Sequence, residues 1–131
     1  MNLKEKSRNE IGVLGERAAR IYLERRGFLI VDRNVARKTG ELDLIVRKGT
    51  DMRFVEVKAR VCAEFPDPSS REEHYDPSAN LHPAKIRKVA RTAEWYVAEK
   101  DWEGNWQIDG ALVWLRERDG VARVEYLSQI V

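Results

Sequence analysis

Across residues 10–26, Ile11, Leu14, Ala18, Ile21 and Tyr22 recur at the spacing of one helix face, and Gly27 stands where a C-terminal cap would. Residues 28–32 read as a short buried strand and residues 33–39 as a polar connection leading to Gly40. The stretch GELDLIVRKGTDMRFVEVKAR, residues 40–60, alternates as two strands joined by a turn at Lys48-Gly49-Thr50-Asp51. Residues 61–81 have no hydrophobic periodicity and predict a long acidic loop, a length that in so small a domain signals mobility or function. Pro83 suits the first position of a second helix, with Ile86, Val89, Ala90, Ala93, Tyr96 and Val97 on one face and Lys85, Lys88 and Arg91 opposite. Residues 106–115 are apolar at both alternations, as in an interior strand, and Asp119-Gly120 turns the chain into a last strand at residues 122–127. The order α-β-β-β-α-β-β predicts an α/β fold with a mixed central sheet flanked by helices, one domain over residues 1–131.

A hydrophobic fraction of 43% with 35% charged residues places the chain among soluble globular proteins. No apolar run reaches the roughly 20 residues of a membrane-spanning helix, and the opening MNLKEKSRNE has no apolar secretory core, so the expected location is cytoplasmic. Cys62 is the only cysteine, which excludes an intramolecular disulfide framework and a multi-thiolate zinc site. The net charge is only +2, but the basic residues are grouped. One group, including Lys4, Lys6, Arg8, Arg17, Arg20, Arg33 and Arg37, loads the first third, and Lys85, Arg87, Lys88 and Arg91 form a second. Two such groups together point to the binding of phosphates, although either alone reads more readily as a solvated surface.

The chemistry concentrates in residues 40–60. Strict alternation puts Leu42, Leu44 and Val46 on one face and Glu41, Asp43 and Ile45 on the other. A two-residue loop at Gly49-Thr50 then sets Asp43 across from Glu56 and Glu41 across from Lys58. A wet hairpin face with a Glu41–Lys58 ion pair is the plain reading. Against it, three carboxylates share a face with Ile45 and Phe54, and like charges repel unless a cation lies between them. Carboxylate oxygens, a backbone carbonyl and waters suit Mg²⁺ or Mn²⁺, and Lys58 adds an ammonium for phosphoryl chemistry. Glu41 would orient this group or hold Lys58. Glu16, at the border of the first helix's apolar stripe, either reaches the same site or pairs with a neighbouring arginine. His74 and His82 read as surface residues.

Gly15-Glu16-x-x-Ala19-x-x-Tyr22-Leu23, Gly27, Arg33-Asn34, residues 40–45 and residues 54–60 resemble the YraN-like family of small uncharacterised bacterial proteins. That family is similar to archaeal Holliday-junction resolvases and the restriction-endonuclease-like PD-(D/E)xK nucleases. The resemblance covers residues 11–60 closely and extends loosely to Lys85 and residues 109–113. It implies Asp43 and Glu56 as metal ligands, Lys58 as the catalytic lysine, Glu16 as a further acidic member, and a Mg²⁺- or Mn²⁺-dependent DNA endonuclease, with branched DNA suggested by analogy. The long acidic loop, Ala36 and Gln107 depart from the family's pattern and bear on substrate contacts. Arg17, Arg20, Arg33, Arg37, Arg60, Lys85, Lys88 and Arg91 are the expected phosphate contacts. A homodimer is an expectation from the paired active sites of related resolvases, and a non-catalytic nucleic-acid-binding or docking module is the rival function.

Overall fold

A computed structural model describes residues 3–66 and 81–131. After a 3-10 turn (Leu3–Glu5), helix α1 runs over Arg8–Arg25. It begins before the apolar pattern does because Ser7 and Glu10 form a capping box: the Glu10 amide donates to the Ser7 hydroxyl and the Ser7 amide to the Glu10 carboxylate, each at 3.2 Å. Gly27, at φ 88°, turns the chain out of the helix, and the Phe28 amide closes the end by donating to the Leu23 carbonyl.

Strand β1 (Leu29–Arg37) is longer than the buried segment predicted, and what reads as a polar connection is its second half. The cause is its place at the sheet edge: Arg33 pairs with Leu44 and Arg37 with Gly40, while most of its side chains stay exposed. Strands β2 (Gly40–Lys48) and β3 (Asp51–Cys62) form the expected hairpin, in which Lys48 pairs with Asp51 and Leu44 with Val55. Because β3 continues to Cys62, the loop begins two residues later than predicted, and residues 67–80 lie outside the described residues. Helix α2 (Pro83–Glu99) starts at its proline behind His82, whose Nδ1 accepts from the Ala84 amide. Strand β4 (Asn105–Arg116) then pairs parallel to β3, and β5 (Ala122–Leu127) pairs antiparallel to β4. The sheet order β1-β2-β3-β4-β5 is mixed as expected, and α2 is the crossover that a parallel pair requires.

Each face of the sheet carries its own core. Ala19 and Leu23 of α1 pack with Leu44, Val46, Val55, Ala111, Val113 and Leu115. Val89, Ala93 and Tyr96 of α2 pack with Ile45, Phe54 and Ile108 on the other side. Gly15 brings α1 onto β3 so closely that a Cβ there would fall 2.5 Å from the Ala59 Cβ.

The strict alternation expected of β2 does not hold. Leu44 belongs to the α1 core, whereas Leu42, two residues earlier, belongs with Val35 to the α2 core. The slip falls at Asp43. The paired ladder with β3 ends at Leu44–Val55, and Asn34, the β1 residue between the Arg33–Leu44 and Val35–Leu42 pairs, is left-handed at φ 50°. A turn of the backbone here frees the amides of Asp43 and Val57 to bond to side chains.

Candidate metal centre and basic groove

Where the β2–β3 ladder stops, two carboxylates replace the missing backbone acceptors. The Val57 amide donates to Asp43 Oδ2 at 2.9 Å, and the Asp43 amide donates to Glu56 Oε2 at 3.2 Å. The two acids expected to face each other are therefore brought together and fixed by each other's strand. Glu56 is 1% exposed. Its Oε1 is buried and, among the described residues, accepts no hydrogen bond, an arrangement that costs free energy unless a cation serves the oxygen.

Among the described residues, the cation nearest Glu56 is Lys85, in the first turn of α2, with Nζ 3.7 Å from Oε1. Burial, reinforced by the charge of Asp43, pushes the Glu56 carboxyl up to about 8, and Lys85 offsets only part of this. Burial also raises Asp43, with Glu41 adding to the repulsion while the Val57 amide and Lys85 oppose it. The pair thus holds a proton, at Glu56, to unusually high pH in the absence of a metal.

The other expected members sit differently. Glu41 is exposed and pairs along the backbone with Ala36 of β1, beyond the end of the β2–β3 ladder, so no Glu41–Lys58 ion pair forms. Glu16 takes the second of its two readings: its Oε1 accepts from Arg20 at 3.3 Å and from the Asn34 amide group at 3.2 Å. It is thereby tied to the β1 residue beside Asp43, and it contacts neither Asp43 nor Glu56. Among the described residues, no third carboxylate, histidine or cysteine joins a metal-holding cluster. His74 lies outside the described residues, and His82 is an exposed helix cap.

Lys58 is exposed and lines an open groove of about 670 Å³ together with Lys85. Lys4, Lys6 and Arg8 line it too, with Leu3, Ile11, Val57, Ala59 and Val61 as apolar lining. The 3-10 turn is held against the sheet by Leu3, which is 2% exposed in the α1 core. Five basic side chains thus converge on the groove, three of them from the basic opening segment and not among the expected phosphate contacts.

Most of those expected contacts are scattered. Arg20 is committed to Glu16, and Arg37 forms a two-pronged bond to Glu99 at 2.9–3.3 Å. Glu99 is at the far end of α2 from Lys85, about 21 Å along an axis that rises about 1.5 Å per residue. Arg17, Arg33, Arg60, Lys88 and Arg91 are exposed on several elements, and only Lys85 of the expected set lines the groove.

Sequence reasoning missed the part played by Asp109. Its carboxylate is fully buried and accepts from Arg53 of β3 at 3.2 Å, Gln107 at 2.7 Å, the Gln129 amide at 2.7 Å and the Tyr126 hydroxyl of β5. Tyr126 is pushed up by burial and by that acceptor. Asp109 is a saturated structural hub, with no oxygen left for a metal. The signal was present in the sequence, since one acid inside an otherwise apolar interior strand demands partners.

Residues 15–118 match the profile of the uncharacterised protein family UPF0102. The chain belongs to that family. A UPF0102 protein of Beutenbergia cavernae is 37% identical over 125 residues, covering 95% of this chain and 98% of its own length. Relatives carrying the same description in Syntrophotalea carbinolica and Sulfurovum sp. are 34% and 33% identical, covering 91% and 78% of this chain and 89% and 81% of their own. Membership bears out the resemblance to a small uncharacterised bacterial family. The UPF0102 match spans Glu16, Asp43, Glu56, Lys58 and Lys85 together, but begins after Lys4, Lys6 and Arg8. Among the described residues, no helix is long and apolar enough to cross a membrane.

Proposed function

We propose that this UPF0102 protein is a divalent-metal-dependent phosphodiesterase acting on DNA. One observation carries the reading: Asp43 and Glu56 are drawn together at the end of a strand ladder, with a buried Glu56 oxygen that accepts no hydrogen bond. An all-oxygen donor pair fits Mg²⁺ or Mn²⁺ and not zinc. When bound, such an ion polarises a phosphodiester and supplies an activated water for hydrolysis. Asp43 and Glu56 would hold it, Glu56 giving up the proton that burial makes it retain. Lys85 and Lys58 stand beside the pair and along the groove, where an ammonium offsets charge developing on phosphate oxygens.

A non-catalytic nucleic-acid-binding module is the second reading. It is favoured by the gathering of two acids, rather than three, among the described residues. Cleavage of forked, four-way and single-stranded DNA in Mg²⁺ or Mn²⁺, with Asp43→Asn and Lys58→Ala as comparisons, separates the two. Metal-dependent cutting by the wild type and none by Asp43→Asn supports the phosphodiesterase. Equal DNA binding by all three proteins with no cutting by any leaves the binding module.

A further inference from the structure

We infer that the groove between the 3-10 turn and β3 is a track for the phosphate backbone of a DNA strand, with Lys4, Lys6 and Arg8 as its outer clamp and Lys58 and Lys85 as its inner end. The inference rests on the reading of the protein as one that acts on DNA, and it assigns which surface takes the strand and by which chemistry.

Three observations carry it. First, charge converges: five basic side chains, from the 3-10 turn and the link behind it, the start of α1, β3 and α2, line one groove, and among the described residues no acidic or aromatic side chain lines it. A cleft lined by one sign of charge concentrates field and attracts a polyanion. Second, the groove runs to the candidate centre. Lys85 both lines it and reaches Glu56 Oε1, the buried oxygen that accepts no hydrogen bond. A phosphate seated between Lys58 and Lys85 therefore lies next to the carboxylate pair. Third, the segment that carries Lys4, Lys6 and Arg8 is anchored. Buried Leu3 pins the turn, and the Ser7–Glu10 capping box fixes where α1 begins, so Lys4, Lys6 and Arg8 are presented from ordered backbone.

The carboxylates near these cations do not close the track. Lys4 reaches Glu117 at 3.5 Å and Lys6 reaches Glu10 at 3.4 Å, with Lys4 75% and Glu10 52% exposed. Such surface pairs are weak and readily exchanged for a phosphate. The lining residues also fix the type of recognition. Among the described residues the groove has no aromatic platform for stacking bases and five cations for phosphates, so the grip falls on the backbone, and binding should be indifferent to sequence and steeply dependent on salt.

The test measures fluorescence anisotropy of labelled single-stranded and duplex DNA on the metal-free Asp43→Asn protein, across a salt series. The triple variants Lys4→Glu/Lys6→Glu/Arg8→Glu and Lys4→Gln/Lys6→Gln/Arg8→Gln are compared with a distant reversal, Arg25→Glu/Arg47→Glu/Lys100→Glu. Circular dichroism and melting identify any variant that fails to fold, and the glutamine set keeps the comparison valid if the glutamate set does so. The groove reversal should weaken binding on the order of 100-fold at low salt and flatten the log–log salt slope by about 2 to 3. The distant reversal should do far less, and a methylphosphonate strand of the same length should not bind the groove.

Equal losses in the groove and distant variants, or undiminished binding of the neutral-backbone strand, would overturn the inference. Its failure is distinguishable from that of the enzymatic reading. Groove-dependent binding with no cutting by the wild type removes the phosphodiesterase and keeps the track. Full cutting by the groove variants removes the track and keeps the phosphodiesterase.

Discussion

Asp43 and Glu56 are each held by the other's strand: the Asp43 amide donates to Glu56, and the amide that follows Glu56 donates to Asp43. This crosswise exchange holds two acids at close quarters where their charges alone would separate them. The energetic cost appears in the raised carboxyl of Glu56. Its sign leads to the first prediction.

A carboxyl at about 8 in the fold and near 4.5 when unfolded binds more protons in the native state across that interval, so metal-free stability falls as pH rises through it. The contribution is fully present below about pH 4.5 and is lost by about pH 8. Urea titrations of the metal-free protein should show a loss on the order of 3 kcal/mol over this window. Glu56→Gln should flatten the dependence. A wild-type protein as stable at pH 9 as at pH 5 would contradict the assignment.

Divalent metal should reverse that trend. Ions that require ionised carboxylates bind more tightly as pH rises. We expect Mn²⁺ to raise the melting temperature at pH 8 more than at pH 6 in the wild type, and neither in Asp43→Asn nor in Glu56→Gln. Differential scanning fluorimetry with and without the ion reads this without reference to any cleavage.

Asp109 should matter to folding more than to chemistry. Asp109→Ala leaves Arg53, Gln107, Tyr126 and the Gln129 amide without their acceptor. Removing one partner from such a buried charged network costs about 3–5 kcal/mol. Equilibrium unfolding should record that loss, whereas a stability change near zero would show that the network carries little.

Gly15→Ala places a methyl 2.5 Å from the Ala59 Cβ and should cost about 1–3 kcal/mol through overpacking, with α1 pushed off β3. The double variant Gly15→Ala/Ala59→Gly removes the clash and should regain part of the loss. If the single variant melts like the wild type, the helix is not so tightly seated.

Arg37→Ala separates the groove from the rest of the basic surface. Arg37 is committed to Glu99, at the end of α2 remote from Lys85. Its removal should leave DNA affinity nearly unchanged, whereas Lys85→Ala should weaken it, both by anisotropy.

The extent to which these features were legible in the sequence differs by element. The order of elements, the hairpin register and the interior strand β4 followed from periodicity, because buried strands and amphipathic helices write their environment into spacing. The second half of β1 did not: an edge strand can be polar on nearly every residue and still pair. Asp43 and Glu56 were placed together correctly by counting from the turn. The slip that puts Leu42 and Leu44 in different cores was invisible, because alternation says nothing of where a ladder ends. For the same reason the ion pair expected between Glu41 and Lys58 does not form. Glu56 instead takes its amine from α2, a contact 29 residues away that no local spacing could suggest.

The parallel pairing of β3 with β4 sets an order of assembly. A nascent β2–β3 hairpin can bring Asp43 and Glu56 together by local contacts alone, as a bare anionic pocket. Lys85 arrives only with the helix that spans the two parallel strands, a step with a larger loop-closure cost. The arrival of an amine beside the acids therefore reports that the chain has closed over its own sheet, and a truncated or half-folded molecule would present the acids without their counterweight.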